Sequence, residues 1–214
     1  MKILSFTVGP FAENTYLLVN EGKALLVDPG FSSQSEYAAF QKALSEENAE
    51  LTGIVLTHAH VDHVLGLNQV IRSHDIPVWL NHRDLFLWEN IESQATLFGL
   101  RVPGFSFTPE PLAEQQGFMA GPFPMDVLYT PGHSPDHVSL YLPGEKAIIA
   151  GDVLFRESVG RTDLYKGDSE LLSSTIRNKL YTLPDETTIY PGHGPATTIG
   201  HEKRHNPFTV APSA

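Results

Sequence analysis

The chain has 214 residues, 41% of them hydrophobic and 18% charged, with a formal net charge of −11. That length fits one sizeable domain, and that composition excludes a disordered or collagen-like chain. No apolar run approaches the 18 residues of a spanning helix, and an acidic surface disfavours general binding to nucleic acid. There are no cysteines, so disulfides, thiolate ligands and a thiol nucleophile are excluded, whereas histidine is plentiful at ten. Met1–Phe6 reaches Gly9-Pro10 before a signal-type apolar stretch can form, so a soluble cytoplasmic protein is the expectation.

The first third reads as short strands and tight turns. Ile3–Val8, Tyr16–Val19 and Ala24–Val27 are apolar runs of strand length, with a hairpin turn at Glu21-Gly22 and a loop at Asp28-Pro29-Gly30. Ser35–Glu47 carries Tyr37, Phe40, Ala43 and Leu44 at helical spacing. Gly53–Leu56 is a buried strand running into Thr57-His58-Ala59-His60-Val61-Asp62-His63. A helix is predicted from there to about Arg72, then a strand at Pro77–Leu80 and a helix over Asp84–Leu97. Residues 99–124, rich in Gly and Pro, read as a long surface connection.

The second half repeats that outline without a detectable sequence repeat. Strands at Asp126–Tyr129, His137–Leu142 and Ala147–Ala150 deliver Thr130-Pro131-Gly132-His133 and Gly151-Asp152. A helix at Ser169–Leu180 leads to a strand at Thr187–Tyr190 and the loop Pro191-Gly192-His193-Gly194. Alternating strands and helices predict a layered α/β protein, a single domain over 1–214. Each His- or Asp-bearing loop follows the carboxyl end of a strand, where α/β proteins place their sites.

The H-x-H-x-D-H cluster is the strongest chemical signal. In an extended loop His58 and His60 point the same way, while Asp62 and His63 open the following turn and reach a second position. His133, Asp152 and His193 are individually weaker, but they complete a set of five imidazoles and two carboxylates. Seven such donors suffice for two metals bridged by a carboxylate and a water. Without thiolate the set suits zinc first, with iron or manganese compatible. Asp28 is a candidate to orient the His58–His63 loop and His137 to buttress the His133 turn. Arg161 is a candidate for binding a substrate carboxylate, with Tyr165 and Lys166 as weaker substrate-binding candidates. His74, His82, His201 and His205 read as surface residues.

Thr57–His63, the Thr130–His133 turn, Gly151-Asp152 and Pro191–Gly194 resemble the metallo-β-lactamase superfamily. The nearest likeness is to its glyoxalase II (hydroxyacylglutathione hydrolase) branch, over nearly the whole chain. The resemblance implies a four-layer αβ/βα sandwich. It implies His58, His60 and His133 on one metal, Asp62, His63 and His193 on the other, and Asp152 as the bridge. It implies an enzyme that attacks a small-molecule acyl-thioester, glutathione-linked in that branch, with a metal-bridging hydroxide, and Asp62 and Asp152 as the catalytic carboxylates. Two features depart from the branch. Only 21 residues follow His193, which leaves no room for its C-terminal helical domain, and Thr162-Asp163 replaces the aromatic residues usual after Gly160-Arg161. Gly-Arg-Thr-Asp also resembles the persulfide dioxygenases, which would use one iron on His58, His133 and Asp152. Lactone or phosphodiester hydrolysis is a further alternative within the superfamily.

Overall fold

A computed structural model describes residues 1–209. They fall into two compact units, one of Met1–Leu112 with Met119–Pro124, the other of Ala113–Phe118 with the chain from Met125 onward.

The first unit is built on a six-stranded mixed sheet in sequence order: β1 (Lys2–Val8), β2 (Glu13–Asn20), β3 (Lys23–Val27), β4 (Glu50–Val55), β5 (Val78–Leu80) and β6 (Glu110–Pro111). β1, β2 and β3 pair antiparallel, and β3 through β6 pair parallel. β2 is buried along nearly its whole length, as its unbroken Thr-Tyr-Leu-Leu-Val run requires. Helix α1 (Gln34–Glu46) crosses from β3 to β4 and buries Tyr37, Phe40 and Leu44, with Phe40 stacked on Phe31 at 5.3 Å. Its start is fixed by a capping box in which Ser33 and Glu36 each take the other's backbone N–H. The Glu36 carboxylate also accepts the amides of Gly9 and Ser32, at 2.9 and 2.7 Å, tying the end of β1 to the helix.

The parallel register places the site. Val27 pairs with Val55, so Asp28 and Thr57 leave neighbouring strands at the same edge. There the Asp28 amide donates to Val55 O at 3.2 Å and the Thr57 amide to Asp28 Oδ1 at 2.7 Å.

The second sheet runs, from edge to edge, β14 (Thr197–Thr198), β13 (Thr188–Pro191), β10 (Ala147–Gly151), β9 (Val138–Leu142), β8 (Phe123–Tyr129) and β7 (Gln115–Ala120). A short ribbon of β11 (Leu154–Phe155) and β12 (Ser158–Val159) follows Asp152. Ile148, Ala150, Val153 and Leu154 form a core with Leu172 and Ile176 of α5 (Ser169–Asn178), Ile189 and Ile199. β8 and β9 form a hairpin closed by the Thr130 amide on His137 O, which makes 130–137 a tight loop. Parallel pairing of β10 with β13 ends at Gly151 and Pro191, where the Gly192 amide donates to Gly151 O, so Asp152 and His193 emerge side by side.

Four local expectations need correction. The segment 61–72 is a single 3-10 turn at Val61–His63 followed by the short α2 (Leu67–Ile71), not one helix. The helix expected over 84–97 is broken at Asn90 into α3 (Phe86–Glu89) and α4 (Ile91–Leu97). Residues 99–124 hold β6, β7 and the start of β8, strands whose apolar alternation is hidden among prolines and glycines. A helix α6 (Ile199–His205), capped by Thr198, was not expected, because Gly200 and its polar neighbours show no helical stripe.

Candidate metal centre

His58, His60 and His63 are packed ring against ring in the first unit. The centroids of His58 and His60 are 4.8 Å apart, and those of His58 and His63 are 4.1 Å apart. All three are buried, and Asp62 Oδ2 lies 3.9 Å from His63 Nε2. A metal binds the neutral imidazole, which carries one lone-pair nitrogen.

Hydrogen bonding says which nitrogen that is for two of them. Asp28 Oδ2 accepts the Nδ1–H of His63 at 3.0 Å. The same oxygen accepts the Thr57 hydroxyl at 2.6 Å, so Thr57 Oγ1 has only lone pairs to offer His58 Nδ1, 3.0 Å away. Nδ1 is therefore the protonated nitrogen in both rings, and both Nε2 atoms are presented as metal donors. Asp28 itself sits at φ +50°, a left-handed conformation that costs about 1–3 kcal/mol outside glycine. Its carbonyl, held by Thr15 Oγ1 at 2.6 Å and Gly30 N at 2.9 Å, fixes the strained turn.

Behind this row lies Glu13, fully buried, with Oε1 3.8 Å from His63 Nδ1. Burial pushes its carboxyl well above the usual range, and the neighbouring Asp28 charge adds to this. Thr15 Oγ1 is within donating reach of both Glu13 Oε2, at 2.8 Å, and Asp28 O, at 2.6 Å. Glu13, Asp28 and His63 stand close enough to suggest a metal trio, but the Asp28 carboxylate is already committed to Thr57 and His63 and Glu13 Oε2 to Thr15, so the group serves as a buttress.

The second unit brings together His133, Asp152 and His193. Asp152 Oδ2 is 3.6 Å from His133 Nε2 and 3.5 Å from His193 Nε2. Two donors each about 2.1 Å from one tetrahedral ion stand roughly 3.4 Å apart, so both spacings suit a carboxylate oxygen shared between cations. His133 donates Nδ1–H to Arg161 O at 2.7 Å, which leaves Nε2 as its metal donor. The His133 turn is anchored to α5, where Asp168 N donates to Gly132 O at 2.7 Å and Thr175 Oγ1 to Pro131 O at 2.9 Å.

His137 does not simply brace that turn. Its Nε2 accepts the backbone N–H of Asp152 at 3.0 Å, and its Nδ1–H donates to Thr130 Oγ1 at 2.8 Å. Thr130 passes its hydrogen to Ser139 Oγ at 3.0 Å, and Ser139 donates to Ala150 O at 3.0 Å. Gly160 lets the Asp152 main chain pass close by: a Cβ there would lie 1.8 Å from the Asp152 carbonyl oxygen and 3.2 Å from His133 Nδ1.

The Arg161 guanidinium is exposed and bound bidentately to Asp163, at 2.7 and 2.8 Å, an ion pair that holds the Asp163 carboxyl at about 2. The carbonyl of Arg161 is the acceptor that orients His133. Tyr165 and Lys166 follow in the same loop, with Lys166 Nζ 5.2 Å from the Tyr165 ring centre. Sequence reasoning missed Thr57, Thr130, Gly160 and Gln94. Gln94 of α4 donates to Ala59 O at 3.0 Å, clamping the peptide between His58 and His60. Thr57, Thr130 and Gly160 each stand beside a motif residue, Thr57 directly before the histidine cluster, but nothing in the sequence points to Gln94.

Comparison with known proteins agrees with this donor chemistry. Residues 8–193 match the family model described as the metallo-beta-lactamase superfamily. The chain is 38% identical over 213 residues to the hydroxyacylglutathione hydrolase GloC of Haemophilus influenzae, covering 97% of this chain and 98% of that one. The solved structure of the BLEG-1 B3 metallo-beta-lactamase superposes with a TM-score of 0.90 at 36% identity, covering 98% and 100% of the two chains. That of TTHA1623 in a di-iron-bound form gives 0.86 at 40% identity, covering 96% and 99%. Histidines with their Nδ1 hydrogens tied back, carboxylates set between imidazoles, and likeness along the whole length lead to one family: the chain belongs to the metallo-β-lactamase superfamily and has its fold.

Proposed function

We propose that the two donor sets act together as a dinuclear centre that hydrolyses the acyl–sulfur bond of a small-molecule thioester, with glutathione as the candidate thiol. His58, His60 and His133 would hold one divalent cation, Asp62, His63 and His193 the other, with Asp152 between them. Zinc is the first candidate; iron and manganese suit the same donors, and a relative binds two irons. Bound there, the cations supply an acidified water and an electrophile for the substrate carbonyl. The protein does the rest. Asp28 and Thr57 keep the imidazoles in one tautomer, Asp152 is held by His137, and Asp62 accepts the proton of the attacking water. A thiolate leaves without an acid to protonate it, which suits a centre whose histidines are already committed.

The observation that carries this reading is the Asp28–His63 hydrogen bond together with the GloC likeness. A one-iron dioxygenase would need only His58, His133 and Asp152, and would leave a second buried imidazole locked to no purpose. Small thioesters also fit a chain of net charge −11 better than nucleic acid does. The cytoplasm, where glutathione stays reduced, fits as the compartment. The test is metal stoichiometry measured beside thiol release from S-lactoylglutathione and oxygen uptake with glutathione persulfide. Two equivalents of metal with thiol release support the proposal, and one iron with oxygen uptake overturns it.

A further inference from the structure

The segment His201-Glu202-Lys203-Arg204-His205 has the H-E-x-x-H spacing, which on a helix sets two imidazoles on one face. In a metallopeptidase the glutamate of that pattern faces the ion's water. Here it cannot, since Glu202 is fully buried and both its oxygens are engaged. Oε1 accepts from Thr197 Oγ1 at 2.5 Å, and Oε2 accepts the Glu157 amide and the Asn206 side chain, both at 2.9 Å.

The imidazoles are a different matter. The rings of His201 and His205 lie 4.7 Å apart and are tilted by 39°. An ion bound at about 2.1 Å by one nitrogen of each ring stands roughly 3.2 Å from each centre, and a tetrahedral angle then separates the centres by about 5 Å. His201 is also oriented. Its Nε2–H donates to Glu157 Oε1 at 2.9 Å, with Glu202 Oε1 at 3.9 Å, leaving Nδ1 with the lone pair and two carboxylates behind the ring. A carboxylate on the far nitrogen of a ligand histidine raises its basicity. Glu157 is held in place, since its amide is bound by Glu202 and the next carbonyl, Ser158 O, accepts from Asn206 at 3.0 Å. The cations of the helix are turned to Asp185, with Lys203 Nζ at 2.6 Å and Arg204 Nη1 at 3.7 Å.

We propose that His201 and His205 form a second, surface site for a divalent transition-metal ion, bound by the two imidazoles and water, with Glu157 as the positioning residue. The site lies wholly within the second unit and is independent of the thioesterase reading. An ion there ties α6 more firmly to the β11–β12 turn that leads into Gly160.

The test uses the full chain with the metals it carries as purified, titrated with Ni²⁺ and followed by NMR of the imidazole signals. Selective paramagnetic broadening of His201 and His205 at micromolar Ni²⁺ is expected, saturating at one equivalent, with a rise in Tm. His205→Gln and His201→Gln should each weaken this step at least tenfold, and Glu157→Gln should weaken it about threefold. Both histidines are partly or fully exposed, so these variants are expected to fold normally. Broadening centred elsewhere, or an unchanged affinity in His205→Gln, overturns the proposal.

Discussion

Asp28 Oδ2 accepts both the Nδ1–H of His63, at 3.0 Å, and the hydroxyl of Thr57, at 2.6 Å, so one carboxylate sets the tautomer of two donor histidines. Asp28→Asn is expected to lower metal affinity 10–100-fold. Thr57→Val, which disturbs only His58, should cost less. Chelator competition on purified protein checks both, and equal losses would show that the threonine link does not act through His58.

Gly160→Ala should be poorly tolerated for a reason unconnected with backbone dihedrals. The added methyl meets Asp152 O, a main-chain atom with no room to withdraw. Overpacking of this kind costs about 1–3 kcal/mol and should displace His133 and Asp152 together. Arg161→Ala, by contrast, keeps the carbonyl that holds His133 and removes an exposed, solvent-screened ion pair with Asp163 that contributes little. Denaturant unfolding with metal analysis separates them: Gly160→Ala loses both stability and metal, whereas Arg161→Ala retains both.

His137→Phe should preserve volume but take away the acceptor of the buried Asp152 N–H and the donor to Thr130 Oγ1. Each unsatisfied buried group costs about 1–3 kcal/mol. A drop in Tm with metal content reduced at the Asp152 side is expected, and a variant as stable as the parent would refute the assignment.

The carboxyls predict pH effects of opposite sign. Burial works to raise the Glu36 pKa, but the amides of Gly9, Ser32 and Ser33 outweigh it and lower the value. Its stabilisation is thus present above the unfolded pKa and lost as pH falls through the folded one. Glu13 is raised chiefly by burial. Its contribution is fullest below the unfolded pKa and declines as pH rises towards the folded one. Urea unfolding from pH 3 to 8 should show a flatter acid limb in Glu36→Gln and a shallower decline above pH 5 in Glu13→Gln.

Much of the architecture is legible in the sequence because strand-length apolar runs end at Gly, Pro and Asp. Val27 and Val55 end two such runs, and Asp28 and the Thr57–His63 loop follow directly. The donors are legible because five histidines and two aspartates stand just past strand ends. The support around them is not, since Thr130, Ser139 and Gln94 are ordinary residue types whose roles come from register and helix placement. Gly160 acts through a close approach that no local pattern encodes. Arg161 stands out in the sequence for its guanidinium, and the register adds a second contact that the sequence does not show, its carbonyl accepting from His133. In α6, Gly200 and the charged residues conceal a helix that only packing stabilises.

The hydrogens running from Asp152 N through His137, Thr130 and Ser139 to Ala150 O all point one way. Each link both gives and takes a hydrogen, so a change at any one of them is felt by the next, and the backbone N–H of Asp152 is tied through three side chains to the strand it leaves.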